Sequence, residues 1–241
     1  MSNQKKEVSS SDIQINKTIP TLVSFAICPF VQRSVITLNI KKVPFDRVYI
    51  DLSNPPAWFT ELVPTERVPA LLFNNDVLFE SAVINEYIDE SDGQRLQQKT
   101  AWERGKERAW ISLVEELIFD QYRMLLADNE TDFIAEKEKF ISKLIVLGNK
   151  AGHDFFSDDS FGLLDAAIAP VFTRLKLMSC IYQEVISSSS ENNNLTNWID
   201  SLVALDVVKE SVVDDFETQF FAYFGDLNSY ALKNEKNSQA A

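Results

Sequence analysis

Residues 21–30 read Thr-Leu-Val-Ser-Phe-Ala-Ile-Cys-Pro-Phe, an apolar run followed by a cysteine and a proline. The run predicts a short strand over Thr21–Ala26, and the proline predicts the first turn of a helix that continues from Phe30 to about Lys42. Cys28 then lies at a helix N-terminus, where the helix dipole favours a negative charge. Two interpretations of Cys28 follow: a thiolate nucleophile, or a buried cysteine that packs as a small apolar residue.

The segments after this stretch alternate between strand and helix patterns. Period-two alternation predicts strands, turn residues at 74–76 predict a hairpin, and a helix is expected from Ser81, its N-cap, to about Glu90. The other predicted elements are strands at 45–52, 68–73 and 77–79 and a short helix at 56–62. The order β-α-β-α-β-β-α predicts an α/β domain in which a small mixed sheet carries helices on both faces.

Beyond residue 93 the sequence shows only helical patterns. Long amphipathic segments predict an all-α domain with helices over about 98–127, 132–150, 163–177, 195–205 and 207–224. Pro170 is expected to interrupt the third helix, Asp206 to separate the last two, and 187–194 to form a surface loop. The predicted organisation is a flexible extension (1–19), the α/β domain (20–92), the helical domain (97–232) and a polar tail (233–241).

Composition excludes several classes of function. With 36 acidic and 23 basic residues the 241-residue chain carries a net charge of −13, which disfavours nucleic acid as a partner. No segment approaches the roughly 18 apolar residues of a membrane span, and the N-terminus lacks a signal-peptide core. Two distant cysteines give no disulfide framework, which favours a cytoplasmic location. The only histidine, His153, has no ligand cluster around it, so no metal site is predicted.

The motifs of the chain resemble those of the cytosolic glutathione transferases, and the Omega class most closely. The resemblance covers most of residues 20–225 and is weaker in the helical part. It is carried by Ile27-Cys28-Pro29-Phe30, Asn54–Phe59, Arg67-Val68-Pro69-Ala70, Phe79-Glu80-Ser81-Ala82 and Leu164-Asp165-Ala166. The resemblance implies a thioredoxin-like N-terminal domain followed by an all-α C-terminal domain, the glutathione transferase fold, and a homodimer.

The resemblance also implies roles for individual residues in binding glutathione as co-substrate. Pro69 is expected to follow a cis peptide bond, with the Val68 backbone pairing with the cysteinyl unit of glutathione. Glu80 is expected to bind the γ-glutamyl ammonium and Ser81 its carboxylate. Phe30 and Arg67 complete the glutathione-binding set. The alternative for Pro69 is an ordinary rigid turn, and for Glu80-Ser81 a helix cap without a ligand.

Two positions depart from the pattern of the family. Omega proteins carry a lysine that meets the glycyl carboxylate of glutathione, and here that position is Pro55. Arg67 is a candidate replacement. Gly162 stands where the family usually places the Ser or Thr that caps the central helix.

The resemblance implies thiol transfer, dehydroascorbate reduction or removal of glutathione from conjugates. Position 31 is Val31, so no Cys-x-x-Cys pair exists and the expected nucleophile is Cys28 alone. The electrophile pocket is expected between the two domains, with candidates Tyr122, Arg123, Arg174 and Phe216. The alternative is a non-catalytic regulator, similar to stringent starvation protein A, that binds RNA polymerase.

Overall fold

The computed structural model describes residues 18–91, 93–96, 100–157, 160–189 and 194–233. The chain divides into two compact units, of which the first ends at Arg95 and the second begins at Leu96. The predicted extension up to residue 17 and the predicted tail from residue 234 lie outside the described residues. Within them, no helix is both long enough and apolar enough to cross a membrane.

The first unit has the element order that the sequence predicts, with ends that differ by at most three residues. In chain order the elements are β1 (Thr21–Ser24), α1 (Pro29–Ile40), β2 (Asp46–Tyr49), α2 (Ala57–Leu62), β3 (Ala70–Phe73), β4 (Asp76–Phe79) and α3 (Ser81–Ser91). The strands form one mixed sheet in the order β2-β1-β3-β4. β2 runs parallel to β1, whereas β3 is antiparallel to both β1 and β4. This is the thioredoxin-like arrangement.

The sheet separates two apolar cores because successive strand residues point to opposite faces. Leu22 and Leu71 pack on one face with residues of α1 and α3, which contact each other. Val23 and Leu72 pack on the other face with Phe59 of α2. The period-two pattern of the strands thus fixes which helix each side chain meets.

Two turns in this unit use left-handed backbone. Asn74 and Asn75 have φ of 52° and 63°, as a two-residue hairpin requires of both central residues. Glu80 has φ of 67°, and its carbonyl accepts the Ile84 N–H at 2.9 Å. Glu80 is therefore the residue that caps α3. The prediction of Ser81 as N-cap was wrong by one position, and Ser81 is the first helical residue instead.

The second unit consists of helices among its described residues. They are α4 (Ala101–Leu126), α5 (Glu130–Gly148), α6 (Leu163–Leu177), α7 (Ser179–Ser188), α8 (Leu195–Ala204), α9 (Asp206–Lys209) and α10 (Phe216–Asp226). α4 packs against α5 and α6, and α6 also contacts α7 and α8. α6 is therefore the central helix of this unit.

The structure corrects three sequence-based predictions here. Pro170 lies inside α6 without interrupting it, because residues 163–172 are all buried and their packing outweighs the cost of about 3 kcal/mol for a proline within a helix. The predicted helix 207–224 is two helices, α9 and α10, since the chain turns between them. The predicted loop at 187–194 begins within α7, which the sequence analysis did not identify.

Candidate functional site

Cys28 lies where the chain passes from β1 into α1. It is the N-cap residue of α1, and Pro29 follows at the first helical position. The Cys28 side chain makes no capping hydrogen bond; its Sγ lies 3.9 Å from the carbonyl oxygen of Val68. The side chain is half-buried and packs on the core that contains Leu22 and Val31. Cys28 thus contacts the core and is still partly exposed, and its role as a nucleophile stays a prediction.

The loop before β3 brings Val68 and Pro69 to the cysteine. The Val68–Pro69 peptide bond is cis, as the resemblance implies. Pro69 is buried and Val68 is half-buried, and the carbonyl of Val68 faces the sulfur of Cys28. Three of the predicted site residues therefore lie together, although about 40 positions of sequence separate Cys28 from the other two.

Ser81 is held by an arginine that the sequence analysis did not single out. Its Oγ accepts hydrogen bonds from Nε of Arg33 at 2.8 Å and from Nη2 of Arg33 at 2.5 Å. Arg33 is 1% exposed and Ser81 is 4% exposed. Glu80, directly before Ser81, is exposed. The start of α3 thus presents an exposed carboxylate beside a hydroxyl fixed by a buried cation.

Phe30 and Arg67 complete the set predicted in the first unit. The guanidinium of Arg33 lies 5.1 Å from the ring centroid of Phe30, a cation–π distance. Arg67 is exposed in the loop before Val68, and Pro55 is half-buried. A signal for Arg33 was present in the sequence, since it is the only charged residue of α1.

In the second unit, α10 brings together three of the four predicted pocket residues. Phe216, Phe220 and Phe224 contact one another in succession, with ring centroids 6.1 Å and 5.0 Å apart. The guanidinium of Arg174 lies 5.1 Å from the Phe216 ring, and the Tyr122 ring lies 5.9 Å from Phe224. A continuous aromatic series therefore joins Tyr122 to Arg174 within this unit.

The polar atoms of these pocket candidates are already engaged within the unit. Arg174 is buried, and its Nη1 donates to the Pro170 carbonyl at 2.7 Å. The Tyr122 hydroxyl lies 3.3 Å from that of Tyr223. Burial, and then the hydrogen bond to Tyr223, raise the pKa of Tyr122 to about 12. Tyr122 is therefore a neutral hydroxyl throughout the physiological pH range.

Arg123, the fourth candidate, is directed elsewhere. It pairs with Asp120 on its own helix, and its Nε donates to Glu136 of α5 at 3.1 Å. Its contacts thus join α4 to α5. His153 lies in the segment between α5 and α6, with Nδ1 2.9 Å from a carboxylate oxygen of Asp154. Among the described residues, no three His, Cys, Asp or Glu side chains form a group suited to a metal ion.

Comparison with known proteins places these features in a family. The model for "Glutathione S-transferase, N-terminal domain" matches residues 27–91. Glutathione S-transferase omega-1 of Sus scrofa is 31% identical over 160 residues, which cover 64% of this chain and 66% of that protein. Glutathione S-transferase U2 of Arabidopsis thaliana is 28% identical, over 79% of this chain and 87% of that protein.

A solved structure shows the same fold over both units. Glutathione transferase Omega 1C from Trametes versicolor superimposes with a TM-score of 0.70 at 25% identity, over 88% of this chain and 99% of that one. The chain therefore belongs to the glutathione transferase superfamily, in which glutathione is the co-substrate. Within the superfamily it is similar to Omega-class proteins and also to others such as the Arabidopsis enzyme.

Proposed function

We propose that this protein is a glutathione-dependent thiol transferase of the Omega type, with Cys28 as the catalytic nucleophile. The observation that carries the proposal is the position of Cys28, half-buried at the N-cap of α1. The first N–H groups of a helix stabilise a thiolate, which is the reactive form of cysteine. Superfamily members that use a hydroxyl at this place only activate glutathione, whereas a cysteine forms a disulfide with it.

Glutathione lies along the loop and helix start that surround Cys28. Its cysteinyl unit pairs with the Val68 backbone, which brings its sulfur to that of Cys28. Its γ-glutamyl end meets the start of α3, where the Glu80 carboxylate binds the ammonium and Ser81 binds the carboxylate. Phe30 and Pro69 line the site. Arg67, which directly precedes Val68, binds the glycyl carboxylate.

The reaction is a pair of thiol–disulfide exchanges. The Cys28 thiolate attacks the glutathionyl sulfur of a mixed disulfide, forms a Cys28–glutathione disulfide and releases the substrate thiolate, which takes up a proton. The thiolate of a second glutathione then attacks that disulfide, which gives glutathione disulfide and restores the Cys28 thiolate. The net change converts the mixed disulfide and one glutathione thiol into the substrate thiol and glutathione disulfide. Reduction of dehydroascorbate differs, because two glutathione thiols are oxidised to one disulfide and the two electrons and two protons pass to dehydroascorbate.

An electrophilic or disulfide substrate of apolar character fits the second unit. The aromatic series of α10 offers apolar surface, and Tyr122 at its end is 39% exposed. The contact between Arg174 and the Phe216 ring then stabilises this surface, and Arg123 joins α4 to α5. We also propose, from the resemblance, that the protein is a cytoplasmic homodimer. Sedimentation equilibrium tests the dimer, since a monomer at micromolar concentration would contradict it.

The experiment that tests the proposed function is mass spectrometry after incubation with glutathione disulfide. The wild-type chain should gain the mass of one glutathionyl group, and the modified peptide should contain Cys28. Cys28→Ser should gain none and should lose thiol transferase activity. Cys180→Ala is the matched control, because Cys180 is the other cysteine of the chain and is also half-buried.

Each outcome of this experiment decides between alternatives. An adduct on Cys180, or thiol transfer by Cys28→Ser, would show that another group is the nucleophile. Conjugating activity gained by Cys28→Ser would show that the site also works by hydroxyl activation. A chain that forms no adduct and does not bind immobilised glutathione would instead favour the non-catalytic regulator.

A further inference from the structure

One turn of α4 contacts three other helices of the second unit. Asp120 and Arg123 pair with residues of α5, Gln121 donates to α6, and Tyr122 contacts α10. Successive residues of a helix point about 100° apart, so these four side chains face different neighbours. Residues 120–123 are therefore held from several sides at once.

The contact made by Gln121 is a buried bond to the backbone of α6. Gln121 is 3% exposed, and its Nε2 donates to the carbonyl oxygen of Val171 at 3.1 Å. A carbonyl inside a helix accepts the N–H group four residues later, and its oxygen has a second lone pair for another donor. The side-chain bond thus adds to the helix bond of Val171 and does not replace it.

Three successive carbonyls of α6, at 169–171, accept hydrogen bonds from side chains. The donors are Oγ1 of Thr173 at 2.9 Å, Nη1 of Arg174 at 2.7 Å and Nε2 of Gln121 at 3.1 Å. The first two donors lie on α6 itself, so the bond of Gln121 is the one that joins these carbonyls to another helix. Arg174 also contacts the Phe216 ring of α10. The three carbonyls are thus connected to both ends of the aromatic series, at Phe216 and, through Gln121, at Tyr122.

The ion pairs of the same turn hold α4 less strictly than this bond does. Arg123 is 49% exposed and Lys143, the partner of Asp120, is 30% exposed, so water and salt weaken their pairs. The amide bond of Gln121 is buried, uncharged and directional, and salt does not screen it. A helix moves as one body over a single turn, so a bond that fixes Gln121 also fixes the neighbouring Tyr122.

The contacts of Tyr122 are sensitive to the position of α4. Its hydroxyl lies 3.3 Å from that of Tyr223, whereas a hydroxyl pair usually approaches to about 2.8 Å. A further small displacement of α4 would therefore break this contact. The Tyr122 ring also lies 5.9 Å from Phe224 in an edge-on arrangement. Because aromatic contacts depend on ring orientation, a flat group of a substrate gains most from a ring that is held still.

We propose that Gln121 is a positioning residue that holds Tyr122 as a fixed wall for an aromatic group of the substrate. This inference rests on the proposed function. Gln121 is buried and acts through the register of α4 against α6, while Tyr122 makes the contact. The substrate class is a mixed disulfide of glutathione with a thiol that carries an aromatic ring.

The test compares two mixed disulfides of glutathione as substrates of the full-length chain. One contains phenylethanethiol and the other ethanethiol, two alkyl thiols of similar pKa, so the leaving groups are matched. The wild-type kcat/KM should be higher for the phenyl substrate by about three- to tenfold, the range of one aromatic contact. Gln121→Met keeps the shape of the side chain and removes its N–H group. This variant should lower the ratio towards one through KM, with kcat and the KM for glutathione unchanged.

A double-mutant cycle shows whether Gln121 acts through its neighbour. Tyr122→Ala should lose the preference for the phenyl substrate, and Gln121→Met should cause no further loss in that background. Thr173→Val is the matched control, because it removes a donor to the same three carbonyls from within α6. It should keep the wild-type ratio. Thermal melts establish that each variant is folded.

The hydroxyl contact of Tyr122 gives a readout that does not depend on turnover. Tyrosine labelled isotopically at Cζ gives an NMR resonance for each tyrosine, and Tyr122→Phe assigns that of Tyr122. In Gln121→Met this resonance should move towards that of an exposed tyrosine, because the contact with Tyr223 is lost. In Thr173→Val it should stay in place.

The failure of this inference differs from that of the proposed function. A wild-type ratio retained by Gln121→Met would overturn the inference and leave the function intact. So would a wild-type chain that uses both disulfides equally, or a double variant whose losses add. A wild-type chain that takes the glutathionyl group from neither disulfide would overturn both. If Gln121→Met does not fold, Gln121→Asn replaces it, since the shorter amide does not reach Val171, and a wild-type ratio there would overturn the inference.

Discussion

At Glu80 a non-glycine residue occupies the left-handed region of the backbone, with φ of 67°. This conformation costs a non-glycine residue about 1–2 kcal/mol. Strained residues of this kind occur preferentially at functional sites, where surrounding contacts hold them. Glu80 is exposed, so the carboxylate itself is available to a ligand. The residue thus combines a backbone cost with a side chain that the proposed function uses.

A pair of substitutions separates these two properties of Glu80. Glu80→Gly should raise the free energy of unfolding by about 0.5–1 kcal/mol, because glycine relieves the strain but is more flexible when unfolded. Glu80→Ala should give no such gain. Both variants lack the carboxylate and should bind glutathione more weakly by the same factor. Urea denaturation and calorimetry measure the two effects, and equal stability of the two variants would contradict the strain argument.

Tyr122 illustrates how the surroundings decide the chemistry of a side chain. Its pKa is raised to about 12 by burial and by Tyr223, so it carries no charge at neutral pH. We expect Tyr122→Phe to leave the pH dependence of activity unchanged below pH 10, since no ionisation is lost. KM for a bulky aromatic substrate is the parameter that should change. A shift of an alkaline limb in the pH–rate profile would show that Tyr122 ionises during turnover.

At the scale of elements, Asp165 joins three parts of the helical unit. Its carboxylate accepts the N–H groups of Phe156 at 3.0 Å and Gly162 at 2.8 Å, and the indole N–H of Trp198 at 2.7 Å. These bonds fix the segment before α6, the start of α6, and α8. A Cβ on Gly162 would lie 3.2 Å from Oε1 of Glu107, so a larger residue here would require that carboxylate to shift by a few tenths of an ångström.

Asp165→Asn tests this junction. All three partners of Asp165 are donors, so an amide nitrogen in place of one oxygen would face an N–H group. We expect a loss of about 2 kcal/mol in the free energy of unfolding at pH 7, measured by urea denaturation. Stability equal to that of the wild type would show that the junction adapts to the amide.

The same carboxyl group makes stability depend on pH. Burial raises the pKa of Asp165 from 3.8 to about 6, against the lowering effect of its hydrogen bonds. The native state then binds a proton more tightly than the unfolded state. The resulting contribution is fully present below pH 3.8 and is lost as pH rises through 6. The advantage of the wild type over Asp165→Asn should therefore grow as pH falls from 7 towards 4; a constant difference would contradict this.

At the scale of the whole molecule, the net charge of −13 opposes an anionic ligand. Glutathione is a net anion at neutral pH, so the global field slows its approach while the start of α3 attracts it locally. Because salt screens long-range repulsion more than buried contacts, the association rate constant should rise with ionic strength. Stopped-flow fluorescence measures it. A rate that falls with added salt would mean that local positive charge dominates the approach.

Much of the fold was predictable from the sequence, because its signals are local. The alternation of β1 and β2, the asparagines of the hairpin and the proline after Cys28 each act within a few residues. They predicted the order of elements in the first unit. Pro170 was misjudged for the opposite reason. Proline disfavours a helix through its own ring and its missing N–H group, which are local effects. In α6 the packing of residues 163–172 outweighs them.

The candidate site was only partly predictable. Cys28, Val68, Glu80 and Ser81 were identified through motifs, and their roles remain predictions. Arg123 and Arg174 carry the same charge. In the structure, however, Arg123 pairs with two carboxylates, whereas Arg174 is buried against Phe216. Sequence patterns do not distinguish these environments, because each partner comes from a different helix or helical turn.

The sequence by itself determined the alternation of strands and helices, the helical character of the second half and the placement of Cys28 before a helix. These follow from periodicity and from the backbone preferences of proline and asparagine, which are properties of neighbouring residues. Only the tertiary structure decided that Arg33 grips Ser81, 48 positions away, and that the sulfur of Cys28 lies beside Val68. Such contacts depend on how the sheet brings distant segments together, and no local preference encodes the distance between them.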